Sequence, residues 1–148
     1  ALPLIGGGET KFSPVFVGDV AEAVARIIDK GEADARIYEF GGPETMSFKA
    51  LMQFTLDTIG RRRLLVPVPW SVARVLGMIL GRLPGRIMTG DQVELLKTDN
   101  VVSEAARRER RSLEGLGITP KSIEAVVPAY LYRYRKAGQF TAPKGMPE

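Results

Sequence analysis

The chain has 148 residues, 45% apolar and 26% charged, the proportions of an ordinary globular protein long enough for one compact core and short for two. It contains neither cysteine nor histidine, which excludes thiol nucleophiles, disulfides, imidazole general bases and the usual zinc sites. The net charge of +4 is uneven: residues 1–100 hold 12 Lys/Arg against 12 Asp/Glu and residues 101–148 hold 9 against 5, a weak pointer to an anionic partner.

The opening ALPLIGGGE has no initiator methionine and no basic n-region, so a piece of a longer protein is expected. Gly6-Gly7-Gly8 reads as a turn or loop ahead of the first strand, because it lacks the G-x-G-x-x-G spacing of a phosphate cradle. PVFV (14–17) reads as a short strand. Val20, Ala23, Val24, Ile27 and Ile28 then mark one face of a helix. Asp19, with Glu22 three residues on, reads as the capping box of that helix, so its carboxylate is architecture and not chemistry.

RIYEF (36–40) is a strand candidate ending in the Gly41-Gly42-Pro43 turn. Ser47 caps a helix with the inner face Phe48, Leu51, Met52, Thr55, Leu56 and Ile59, closed by Gly60. LLVPV (64–68) is a third strand, at an edge because of Pro67. Pro69-Trp70 opens an apolar helix to about residue 83, stopped by Pro84-Gly85. It is too short to span a bilayer and carries Arg74 and Arg82; its default place is a core or subunit interface, with a membrane surface as the alternative. Gly77-x-x-x-Gly81 within it reads as tight packing against a neighbour or a weak point in the helix.

Thr89 with Gln92 forms another capping box, and SEAARRERR (103–111) follows as a solvated helix with a Glu104–Arg108 pair. Neither this stretch nor Arg61-Arg62-Arg63 has interleaved aromatic platforms, which argues against nucleic acid. Thr119 caps the last helix with Pro120 at its first position, and Pro128 bends or restarts it. Tyr132 and Lys136 have Tyr-x-x-x-Lys spacing, but no cofactor fingerprint lies upstream. The plainer reading packs Tyr130 and Tyr134 and solvates Arg133, Arg135 and Lys136. The tail, 141–148, is expected to be disordered.

Taken in order, PVFVGDVAEAV, YEFGGPETMSFKALM and RRRLLVPVPW resemble the C-terminal portion of extended short-chain dehydrogenase/reductase (SDR) proteins, with their V-x-D-V-A junction and Y-x-x-G-G-P-E turn. LPLIGGGETKFSPVFVGDVA, LLKTDNVVS and PAYLYRYRKAGQF are similar to the nucleotide-binding accessory subunits of respiratory complex I and their bacterial relatives. The resemblance covers roughly residues 1–140. It implies an α/β fold: the substrate-side part of a Rossmann-like extended SDR, with about three short, mainly parallel strands and four to six helices.

It also implies that NAD(P)H is bound mainly by an N-terminal Rossmann half, with no cofactor expected on this segment alone. The expected partners are that half and complex I subunits. Nucleic acid is not expected, membrane contact is peripheral at most, and apolar surface exposed by the cut is expected to favour self-association. The implied location is cytoplasmic, at the cytoplasmic face of the inner membrane, or on the matrix side if mitochondrial. The catalytic Tyr-x-x-x-Lys of the family precedes the PVFV junction, so Tyr132 and Lys136 do not match it. In sugar-nucleotide-modifying relatives an arginine before the junction holds a phosphate; here Lys11 lies nearby without aligning clearly.

No catalytic, cofactor or metal residue is assigned. Lys11, Phe12 and Phe16 are the substrate-facing candidates. The leading expectation is an accessory, non-catalytic role. One alternative is the substrate-binding part of an active reductase, epimerase or dehydratase, with a pocket near 6–16 and 88–100. The other is a basic membrane- or protein-docking module on 70–86 and 107–136.

Overall fold

The computed structural model describes residues 1–31, 36–80 and 90–135, which carry six α-helices and four short strands in an α/β arrangement. The described residues divide into two units, one built from 1–12, 46–80, 90–100 and 131–135, the other from 13–31, 36–45 and 101–130.

In the first unit, β1 (Leu2–Ile5) pairs in parallel with β4 (Leu65–Val68), from Leu2 opposite Leu65 to Ile5 opposite Val68. Each strand contains a proline, Pro3 and Pro67, which lacks a ladder donor and suits a sheet of two edge strands. The Gly6–Gly8 turn leads to β2 (Lys11–Phe12), antiparallel to β3 (Met46–Ser47). Helix α2 (Phe48–Thr58) begins where Ser47 Oγ accepts from the Ala50 N–H at 3.2 Å, and Phe48 N–H donates to the Thr10 carbonyl.

At its other end Gly60, at φ +63°, lets its own N–H reach the Asp57 carbonyl and the Arg61 N–H reach that of Leu56. This is a Schellman stop, so both ends of α2 follow the sequence reading. Helix α3 (Trp70–Leu80) starts after Pro69 and packs on α4 (Gly90–Leu95). Ile5, Ala73 and Val93 form the buried centre, with Val68, Trp70 and Leu96 around them.

In the second unit, α1 (Val17–Asp29) packs Ala23 against Leu113, Leu116 and Ile118, with Ile27, Tyr38 and Phe40 alongside. Arg26 donates to the carbonyls of Leu116 and Gly117, fixing the 114–116 turn to α1, and pairs with Glu22 at 2.6 Å. Helix α5 (Glu104–Arg108) is capped by Ser103, and α6 (Ile123–Leu131) carries Pro128 in its interior.

Several local expectations are replaced. PVFV forms no strand: the helix starts at Val17, and the Phe16 carbonyl accepts from the N–H groups of Asp19 and Val20. Asp19 is therefore inside the first turn and not at the cap, and Glu22 turns to Arg26 instead of reaching back. RIYEF is also irregular, held by Glu39 N–H donating to the Arg111 carbonyl. On α1, Val24 and Ile28 are exposed rather than inward. The last helix is capped by Ser122, whose Oγ accepts from Ala125 N–H, and not by Thr119, because the Lys121 N–H is taken by Asp19.

Glu104 and Arg108 are not among the ion pairs of the described residues; Arg111 pairs with Glu109 at 2.7 Å nearby. Tyr130, near the end of α6, is exposed; beyond it α6 gives way at Tyr132–Tyr134 to a tighter turn that resets the facing, leaving Tyr134 exposed and Arg135 half-buried. The Gly6–Gly8 turn follows β1 instead of preceding the first strand. Thr89, Gly81, the Pro84-Gly85 stop, Lys136 and the 141–148 tail lie outside the described residues.

Candidate functional site

In the first unit, the end of β1, the end of β2, the start of α2 and the segment after α4 surround an open cavity of about 690 Å³. Its walls are Ile5, Phe12, Phe48, Leu95 and Leu96, and its polar side is Thr98, Asp99 and Asn100. The Phe12 and Phe48 rings sit 6.1 Å apart and tilted by 55°, a favourable aromatic geometry.

The polar side is fixed by the backbone. Lys11 N–H donates to Asp99 Oδ1 at 2.8 Å, and Asn100 N–H donates to the Lys11 carbonyl at 2.8 Å. Thr10 Oγ1 donates to the Leu96 carbonyl behind them. An apolar body with a few oriented polar groups at one side is the usual make-up of a small-molecule site. Asp99 accepts the Lys11 N–H through one oxygen and is the titratable side chain among the described residues of the wall.

Of the three substrate-facing candidates, Phe12 lines this cavity. Lys11 shapes it through its main chain while its side chain is exposed. Phe16 belongs to the second unit, where the Lys121 ammonium sits 4.8 Å from the centre of its ring. Phe48 and Ile5 carried no sequence signal for the site, since only the fold brings them beside Phe12.

The glycine loop is packed against the protein at two of its three positions, Gly6 and Gly8, while Gly7 is open. A Cβ on Gly6 would meet the Trp70 indole at 2.1 Å, and one on Gly8 would meet Lys49 at 3.0 Å, so the space left by these glycines is filled by the protein itself. Gly41 and Gly42 are likewise closed off, by Ser13, Val102 and Pro14.

In the second unit a polar depression is lined by Arg36, Ile37, Glu39, Glu109 and Arg111. Glu39 accepts from the Ser103 N–H at 2.8 Å and the Ser103 hydroxyl at 3.0 Å. These two bonds, the backbone one foremost, hold its carboxyl below the ordinary value, with Arg111 adding to the effect. Arg111 also donates to the Ile37 carbonyl. These groups are engaged in holding the 36–40 segment to α5. Among the described residues no three His, Cys, Asp or Glu side chains converge as metal ligands. No described helix is long and apolar enough to cross a membrane.

No protein-family model matches the chain. It is 33% identical over 147 residues to the NADH dehydrogenase [ubiquinone] 1 alpha subcomplex subunit 9, mitochondrial, of Arabidopsis thaliana, covering 93% of this chain and 36% of that protein. It is 27% identical over 138 residues to the NADH-ubiquinone oxidoreductase 40 kDa subunit, mitochondrial, of Neurospora crassa, again covering 93% of this chain and 36% of the relative. The chain thus spans about a third of the length of these curated relatives and is homologous to them across nearly all of its own. The resemblance to complex I accessory subunits read from the sequence is borne out.

Proposed function

We propose that this chain is the substrate-side portion of an accessory, NAD(P)H-binding SDR-like protein that works with NADH:ubiquinone oxidoreductase. The observation that carries this reading is the homology over 93% of the chain to two subunits of that enzyme. In this role the segment contributes the cavity beside Phe12 and Phe48, and a surface for neighbouring subunits.

Two measurements test the reading. A tagged copy, expressed in its source organism, is expected to migrate with NADH:ubiquinone oxidoreductase on native gels; free migration at every detergent concentration overturns it. Calorimetric titration of the 148-residue chain with NADPH is expected to show no tight binding, and a tight complex overturns the division of labour.

A second reading, the substrate-binding part of an active NAD(P)-dependent epimerase, dehydratase or reductase, draws on one observation: the cavity joins Phe12 to residues 95–100. Turnover of a carbonyl or sugar-nucleotide substrate by the longer protein, abolished by filling the cavity with Leu96→Trp, would promote it over the first.

A further inference from the structure

Two arginine-bearing turns far apart in sequence are tied together in the first unit. Arg135 Nε donates to the Thr58 carbonyl at 3.0 Å, and Arg61 Nε donates to the Tyr134 carbonyl at 3.3 Å. The Schellman stop at Gly60 thereby sets Arg61-Arg62-Arg63 beside the Tyr132–Tyr134 turn. Arg61 and Arg135 are occupied in holding this junction. Arg62, Arg63 and Arg133 are exposed, and among the described residues none of them pairs with a carboxylate. The one acid on the adjoining turn, Asp57, accepts from Gln53 on its own helix.

Apolar and amphipathic groups are interleaved with these charges. Leu64 is 72% exposed, Tyr134 56%, Tyr132 40% and Val66 38%. Unpaired guanidinium groups attract a surface of phosphates, and tyrosine favours the boundary where one end is apolar and the other wet. An exposed leucine and valine beside them have a place to go in a lipid surface and none on a nucleic-acid backbone.

We infer that the juxtaposed 61–66 and 132–135 segments form a docking surface for an anionic phospholipid bilayer, with Arg62, Arg63 and Arg133 meeting headgroup phosphates and Leu64, Tyr132 and Tyr134 entering the interface. The contact is peripheral and salt-sensitive, since it joins exposed charges.

The test is co-sedimentation of the chain with vesicles of phosphatidylcholine alone and of phosphatidylcholine mixed with phosphatidylglycerol. Binding to the mixed vesicles only, falling with salt, is expected. Each arginine at a membrane surface is worth about fivefold in partitioning, so Arg62→Gln/Arg63→Gln/Arg133→Gln is expected to lower it on the order of 100-fold. Arg107→Gln/Arg108→Gln, which removes charge in the second unit, is expected to leave it nearly unchanged. Circular dichroism and Trp70 fluorescence report whether each variant keeps its fold. Equal binding to both vesicle types, no loss in the folded triple variant, an equal loss in the second-unit variant, or retention on single-stranded DNA without vesicle binding each overturns the proposal.

Discussion

Asp19 and Lys121, 102 positions apart, are joined by a hydrogen bond of 2.8 Å in which the Lys121 N–H donates to Asp19 Oδ2. Asp19 is 3% exposed, so this carboxylate ties the first turn of α1 to the segment entering α6. A buried carboxylate accepting a backbone N–H is worth about 2 kcal/mol, against about 1 kcal/mol for an ordinary helix cap. Asp19→Ala is expected to lower unfolding stability by about 2 kcal/mol. Amide hydrogen exchange separates the two roles. Exchange at Lys121 is expected to accelerate in the variant while that at Glu22 stays slow, whereas a cap would expose the first-turn amides.

Glu39 does for α5 what Asp19 does for α6. Its carboxylate accepts from both the N–H and the hydroxyl of Ser103, and the same hydroxyl oxygen accepts from Ala106 N–H at 3.1 Å to cap the helix. Because these bonds lower the Glu39 pKa from its ordinary 4.5, the folded state favours the ionised form. The stabilisation is complete above the unfolded value and is lost as pH falls through the lower, folded value. Wild-type stability is therefore expected to drop more steeply below pH 4.5 than that of Glu39→Gln. Urea midpoints at a series of pH values measure this, and the two proteins are expected to converge at the acid end.

The parts legible in the sequence are those whose stabilising partners are local. Ser47 and Gly60 bracket α2 because a cap and a Schellman stop are satisfied within a few residues. Pro69-Trp70 opens α3, and LLVPV contains β4, for similar reasons. PVFV misleads because β-branched and aromatic residues favour a strand only where a neighbouring strand is offered; here Phe16 instead supplies the carbonyl that starts a helix. Strand β1 went unread because its partner lies some 60 residues on, Leu2 opposite Leu65. The cavity shows the same division: Phe12 and part of the 88–100 stretch fall among residues the sequence marks, while Phe48 and Ile5 reach it only through the fold.

The Gly6–Trp70 contact packs the indole over the glycine loop, and its two costs can be measured separately. Gly6 has φ +59°, which any other residue adopts only with strain, and an added Cβ would fall 2.1 Å from the Trp70 ring. Gly60 has φ +63° with nothing within 4 Å of an added Cβ, so Gly60→Ala isolates the conformational cost of about 1 kcal/mol. Gly6→Ala adds overpacking, typically another 1–3 kcal/mol, roughly the cost of forcing extra volume into a filled site. Trp70 is the only tryptophan of the chain, so its fluorescence reports directly on this contact. Gly6→Ala is expected to shift the native emission and to destabilise more than Gly60→Ala, which is expected to leave the emission unchanged. Equal losses in the two variants, with an unmoved spectrum, would mean that the indole does not occupy the space above Gly6.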